Sequence, residues 1–336
     1  MRFTTWGDVI ARVRGLASRL IGRAGLERLA ASSDFAAFAG GLRMTVYESL
    51  ANLSAPSGRA FEHETRRVAG DHTRIIASWS GSRIGALAPL FEDEDRRNLR
   101  SLARGVVAHA PPDQRVAGLL ATPALPNAAL EELAHAARLS DLAATLTAWG
   151  NSYGPAMMTE AVRKAPNLFA LQLAIDREYA LRAVRTAPHA GAAMVTYVRL
   201  IIDGDNATSA LAVASGRVEH DPATLFVPGG ELISAALFAD LVRLNLEEAT
   251  ARLAPLLAAT PLASLVIRPV PSAEVAMLTA MLRDLRRVVR RDPLSIAAVL
   301  EYVLALRAEL HDLARIIWGI ALDVPRTRVA AGLVTP

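Results

Sequence analysis

"DRRNLRSLARG" occupies residues 95–105 and "ELHDLARIIWG" residues 309–319. Set side by side, they agree in kind at five positions: Asp95 with Glu309, Asn98 with Asp312, Leu99 with Leu313, Leu102 with Ile316, and Gly105 with Gly319. A weaker third copy, "DGDNATSALAV" at 203–213, keeps Asp203 and Asn206, carries Ala207 and Ala210 at the next two places and lacks the glycine. The steps between copies are nearly equal, 203 − 95 = 108 and 309 − 203 = 106. Such a period has to be found before a fold is named, because it defines the building unit.

The flanks repeat as well. Pro111 and Pro325 each lie six residues beyond the motif glycine, and "RVAGLLATP" (115–123) matches "RVAAGLVTP" (328–336). Upstream, "LERLAASS" (26–33), "LEELAHAA" (130–137) and "FADLVRLN" (238–245) open corresponding runs. The chain therefore divides into three related units, 1–123, 124–226 and 227–336.

Each unit reads as helix. Ala, Leu, Arg and Glu dominate, all good helix formers, and apolar residues recur at three- and four-residue steps. Leu237, Leu241 and Leu244 make one such stripe, and Val299, Tyr302, Leu306, Leu310 and Leu313 another. Pro- and Gly-rich breaks at 54–58, 110–113, 122–127, 221–230, 259–263, 268–272 and 292–295 separate helices of roughly ten to thirty residues. "SLVIRPV" (264–270) is the main strand candidate and runs into prolines. The predicted class is all-α. On such a helix the acid and the Asn/Asp, three residues apart, share one face. They can brace a neighbouring helix end by hydrogen bonds or form a charged rim for a partner.

Composition excludes several chemistries. Of 37 Lys and Arg residues only Lys164 is lysine, and Gly-x4-Gly-Lys-Ser/Thr does not occur, so nucleotide hydrolysis by that route is out. With no cysteine there is no disulfide, thiolate zinc site or thiol nucleophile. The seven histidines are scattered, and "HETRR" (63–67) lacks the second histidine of a zinc helix. "SGSRIG" (80–85) fits neither a dinucleotide fingerprint nor a nucleophile elbow. "FEDED" (91–95) predicts a helix opening, where negative charge suits the dipole. No cofactor is expected.

Hydrophobic residues make up 52% of the chain. No run reaches the ~18 apolar residues that a spanning helix needs. "TWGDVIARVRGLASRLI" (5–21) is amphipathic and arginine-bearing, like a transit peptide. Thr5 and Asp8 have capping-box spacing, however, and Val9, Val13, Leu16 and Leu20 form a helical stripe, which favours a structural helix.

At this point the residues resemble a known family. "PLSIAAVLEYVLALRAELHDLARIIWGIALDVP" (293–325) looks like the C-terminal signature of the C subunit of V/A-type ATPases, the counterpart of the eukaryotic d subunit. "ARVRGLASRLI" (11–21) resembles that family's opening helix, "FEDEDRRNLRSLARG" and "IIDGDNATSALA" its two earlier Asp-x-x-Asn helices, and "VPGGEL" (227–232) its Pro-Gly-Gly turn. The resemblance implies three similar helical domains in a pseudo-threefold funnel. It implies no catalytic site, and one copy per complex on the cytoplasmic face of the membrane. The partners would be the membrane rotor ring and the central axle subunits, with peripheral contact to the membrane and no nucleic acid.

One feature supports an alternative. "RDLRRVVRR" (283–291) places Arg283, Arg286, Arg287 and Arg290 on one helical face, a stripe able to neutralise phosphates. No aromatic residues interleave with it for base stacking. An all-α nucleic-acid-binding or scaffold protein is the competing reading.

Overall fold

The computed structural model describes residues 6–53, 56–216, 224–267 and 270–336, with the side chains of 270–272 excepted. Every regular element among these residues is helical. In chain order the α-helices begin α1 (Gly7–Ala17), α2 (Gly22–Ala30), α3 (Phe35–Gly41), α4 (Gly58–Ser80) and α5 (Ile84–Val107). Next come α6 (Pro112–Arg115), α7 (Asn127–Ala134), α8 (Leu139–Ala148), α9 (Tyr153–Ala161), α10 (Leu168–Thr186) and α11 (Ala192–Ala214). The chain ends with α12 (Ala235–Leu241), α13 (Leu246–Leu257), α14 (Val270–Arg291), α15 (Ala297–Ala321) and α16 (Arg326–Ala331). The strand candidate is a 3-10 turn over Pro261–Val266, and Arg268 and Pro269 lie outside the described residues. Thr5, half of the expected capping box, also lies outside them.

The expected helix lengths need correction at the short end, since α3 has 7 residues, α6 has 4 and α16 has 6. Their ends are set by local chemistry. Asp34 caps α3 by accepting the Ala37 amide at 2.8 Å. Gly40-Gly41 then ends the helix within two turns. The stripe of Leu237, Leu241 and Leu244 is likewise cut short, since α12 stops at Leu241. Asn245 and Glu248 form a reciprocal capping box that starts α13 afresh.

Packing divides the chain into two compact units. The first comprises Met1–Ile84, His109–His135 and Leu282–Pro336, and the second Gly85–Ala108 and Ala136–Met281. Each unit gathers pieces of more than one sequence repeat.

In the first unit α15 packs on α4, α1 and α2. Sixteen of its 25 residues are buried, as befits a helix that is apolar nearly all round. Leu313, Ile316 and Ile317 of α15 join Leu26, Leu29, Phe38, Tyr47 and Phe61 in one core. Phe61 stacks on Phe35 at a centroid distance of 4.9 Å and meets Phe38 edge-on at 5.4 Å, both favoured aromatic arrangements. Gly319 is required by packing, since a β-carbon there would sit 2.6 Å from Val329 Cγ2.

In the second unit α9 packs between α8 and α10, and α11 packs on α10, α12 and α13. Ile175, Tyr179, Val198, Ile202, Phe238 and Leu253 are among its buried side chains. "FEDED" is not a helix opening. A short 3-10 turn over Gly81–Arg83, opened by Gly81 at φ +52°, follows α4, α5 then starts at Ile84, and Asp93, Glu94 and Asp95 fall in its buried middle. There Asp93 answers a buried cation rather than the helix dipole.

Candidate functional site

The recurring polar pair sits on α5, α11 and α15 and is buried in each copy: Asp95 and Asn98, Asp203 and Asn206, Glu309 and Asp312. Leu99 and Leu313 of the adjoining stripe are wholly buried, while Gly105 is half-buried on α5. A buried carboxylate is costly without donors, and the donors in the second and third copies are backbone amides.

In the second copy Asp203 Oδ2 accepts the amides of Glu231 (2.8 Å) and Leu232 (3.0 Å), and Oδ1 accepts that of Ile233 (2.9 Å). Asn206 behaves as a peptide mimic. Its Oδ1 accepts the Val227 amide at 2.9 Å, and its Nδ2 donates to the Val227 carbonyl at 2.8 Å. This geometry accounts for the Pro-Gly-Gly turn. Gly229 holds φ +116°, a conformation that glycine adopts without penalty. Gly230 lies so close to Asp203 that a β-carbon would overlap its Oδ1.

The third copy repeats the arrangement. Asp312 accepts the amides of Val334 and Thr335, each at 2.8 Å, 22 and 23 residues downstream, where Asn206 reaches 21. Glu309 Oε2 accepts the Ile21 amide at 2.7 Å. Ile21 lies five residues before Leu26, and Ile233 five before Phe238, so the acids of the two copies hold equivalent points of the repeat. The difference is direction: Asp203 grips a segment further along, whereas Glu309 reaches back to the first repeat.

Burial pushes the Glu309 carboxyl up to about 7, with Asp312 adding to the rise and the Ile21 amide opposing it. Burial, with Glu309 beside it, also drives the Tyr47 phenol well above its usual range. Elsewhere on α15, Tyr302 meets His72 Nδ1 through its hydroxyl, and burial lowers the His72 imidazole.

Sequence reasoning missed a second polar centre, in the second unit. Arg96, 2% exposed, donates to Asp93 (2.7 Å), Asp176 (2.7 Å) and Asp205 (2.8 Å). Its guanidinium lies 4.9 Å from the Tyr179 ring centre, within range of the ring's negative face. Arg97 bonds Asp93 at 3.1 Å, Arg100 bonds Asp176 at 3.4 Å, and the Tyr197 hydroxyl donates to Asp93 at 2.7 Å. Burial works against the charge of Arg96, but Asp205, Asp93 and Asp176 outweigh it and hold the guanidinium above its ordinary value. Burial raises the Asp205 carboxyl. A cavity of about 80 Å³ adjoins the cluster, with opposite charges along its wall.

The arginine stripe of α14 is placed differently from its sequence pattern. Arg283, Arg287 and Arg290 are exposed, whereas Arg286 turns inward to Glu301 (3.3 Å) and the Pro336 carbonyl (3.2 Å). Arg291 extends the exposed set, and Asp284 pairs with Arg287 at 2.7 Å. Among the described residues no three or more His, Asp and Glu side chains converge to hold a metal, and no helix is long and apolar enough to cross a membrane.

Fold and site together define an all-α repeat protein whose buried acids bind its own backbone. The chain belongs to the ATP synthase (C/AC39) subunit family, whose model matches residues 9–331, and so to the C/d group of V/A-type ATPase subunits. Members of that family are structural, stalk- and rotor-associated parts of ion-translocating complexes. No individual curated protein matches the chain.

Proposed function

We propose that the chain is the non-catalytic connector of the central stalk, joining the membrane rotor ring to the axle of the soluble ATPase head. One copy serves each complex, at the cytoplasmic face of the membrane. The three sequence repeats, 1–123, 124–226 and 227–336, are its working modules, and Asp95, Asn98, Asp203, Asn206, Glu309 and Asp312 are their braces.

The observation that carries this reading is the Glu309–Ile21 bond, in which the third repeat grips the opening of the first. An open array contacts its neighbours in order and leaves its ends apart. A connector between two rotating parts benefits from first and third repeats that are tied to each other, because torque then has to break that bond to separate them. Family membership supports the assembly, and the buried carboxylate–amide braces support rigidity.

The test mixes the purified chain with axle subunits and detergent-solubilised rotor ring from the same source, followed by size-exclusion chromatography and native mass spectrometry. One copy per ring, retained with the axle, is the expected result. No association at any salt concentration would overturn the reading.

A further inference from the structure

The C-terminal half of α14 and the turn after it form a surface that neither the braces nor the ion cluster uses. Arg283, Arg287, Arg290 and Arg291 are exposed along it, and the following turn presents Asp292, Pro293 and Leu294 to solvent. Leu294 is 66% exposed and Val288 40%. From α1, the Arg14 guanidinium donates to the Pro293 carbonyl at 2.8 Å, which fixes the turn and adds a fifth cation. Asp284 and Asp292 are the opposing charges.

We infer that this face docks on an anionic lipid surface, the arginines meeting headgroup phosphates while Leu294 and Val288 enter the boundary of the acyl layer. The inference rests on the peripheral membrane placement proposed above. Charge complementarity argues for a polyanionic partner, since four exposed arginines within three helical turns outnumber the two acids. The apolar pair selects among polyanions. The stripe lacks the aromatic platforms on which unpaired bases stack. Basic residues flanked by exposed aliphatic side chains are the ordinary composition of interfacial membrane contacts. Arginine also suits phosphate, through its planar pair of donors.

The experiment is co-sedimentation of the full chain with vesicles of phosphatidylcholine alone or mixed with phosphatidylglycerol, at rising salt. Binding to the mixed vesicles only, released by salt, is expected. The R283Q/R287Q/R290Q variant should bind roughly a hundredfold more weakly at low salt, given the attraction of each basic residue to an anionic surface. L294S should weaken binding less and leave its salt dependence unchanged. All these positions are exposed, so circular dichroism and thermal melts should match the parent. Equal binding to neutral vesicles, undiminished binding by the triple variant, or capture by duplex DNA in place of vesicles would overturn the inference. The ring-and-axle association assay, run in detergent with the same variants, separates the two readings. Association of the parent with ring and axle, without vesicle binding, removes this surface and leaves the connector, whereas a parent that does neither removes both readings.

Discussion

Glu309 Oε2 accepts the backbone N–H of Ile21 at 2.7 Å, joining two residues 288 positions apart. The bond places a carboxyl whose titration is pushed up to about 7 at the seam between the opening and closing segments of the first compact unit.

That seam should respond to pH. Glu309 has its folded-state value raised above the ordinary 4.5, so its stabilising contribution is complete below about 4.5 and is lost as pH rises through about 7. The loss is on the order of 3 kcal/mol if the whole shift is realised. Urea denaturation between pH 5 and 8 should show stability falling in the parent and a flatter profile in E309Q, which keeps the acceptor without the charge. Parallel profiles for the two proteins would contradict the assignment.

Removing a brace should loosen its segment without touching chemistry elsewhere. D312A leaves the Val334 and Thr335 amides buried without their acceptor. It should cost roughly 2–3 kcal/mol. Hydrogen exchange at those two amides should accelerate with it.

Gly230 and Asp203 should behave as one unit. G230A forces a β-carbon into the Asp203 carboxylate. It should destabilise by about 1–3 kcal/mol. Because both substitutions break the same cradle, the D203A/G230A double variant should be little worse than D203A alone. Additive losses in the double-mutant cycle would show that the turn and the carboxylate are independent.

Arg96 offers the largest effect. R96M leaves Asp93, Asp176 and Asp205 facing one another without their shared cation. It should cost about 3–5 kcal/mol. Burial already raises the Asp205 carboxyl and Arg96 opposes that rise, so the deficit should be greatest at alkaline pH and shrink toward pH 5. A thermal shift of the same size at both ends of that range would argue against a charge origin.

Much of the design is legible in the chain. The acids recur at two nearly equal steps, from Asp95 to Asp203 and on to Glu309, and the apolar residues beside them give the helical phase directly. What Asp203 and Glu309 hold is not legible, because amides carry no side-chain signature. Only the Gly230 approach leaves a trace, in the Pro-Gly-Gly turn. The Arg96 cluster escapes for another reason. Its partners Asp176 and Asp205 lie 80 and 109 residues away. On a helix surface Asp93 and Arg96 look like an ordinary exposed i, i+3 pair. "FEDED" is open to misreading because acidic residues are common both at helix openings and around a sequestered cation. The position of the helix start, which a short 3-10 turn moves upstream to Ile84, decides between them.

The sequestered guanidinium also has a consequence for biosynthesis. Arg96 emerges from the ribosome 109 residues before Asp205. At ordinary elongation rates of about 5–20 residues per second, that is a wait of roughly 5–20 s. Throughout that interval α5 carries a cation that cannot be buried without one of its counter-charges. The second unit therefore has a built-in delay, holding the Arg96 side of α5 in water until the last carboxylate has been made.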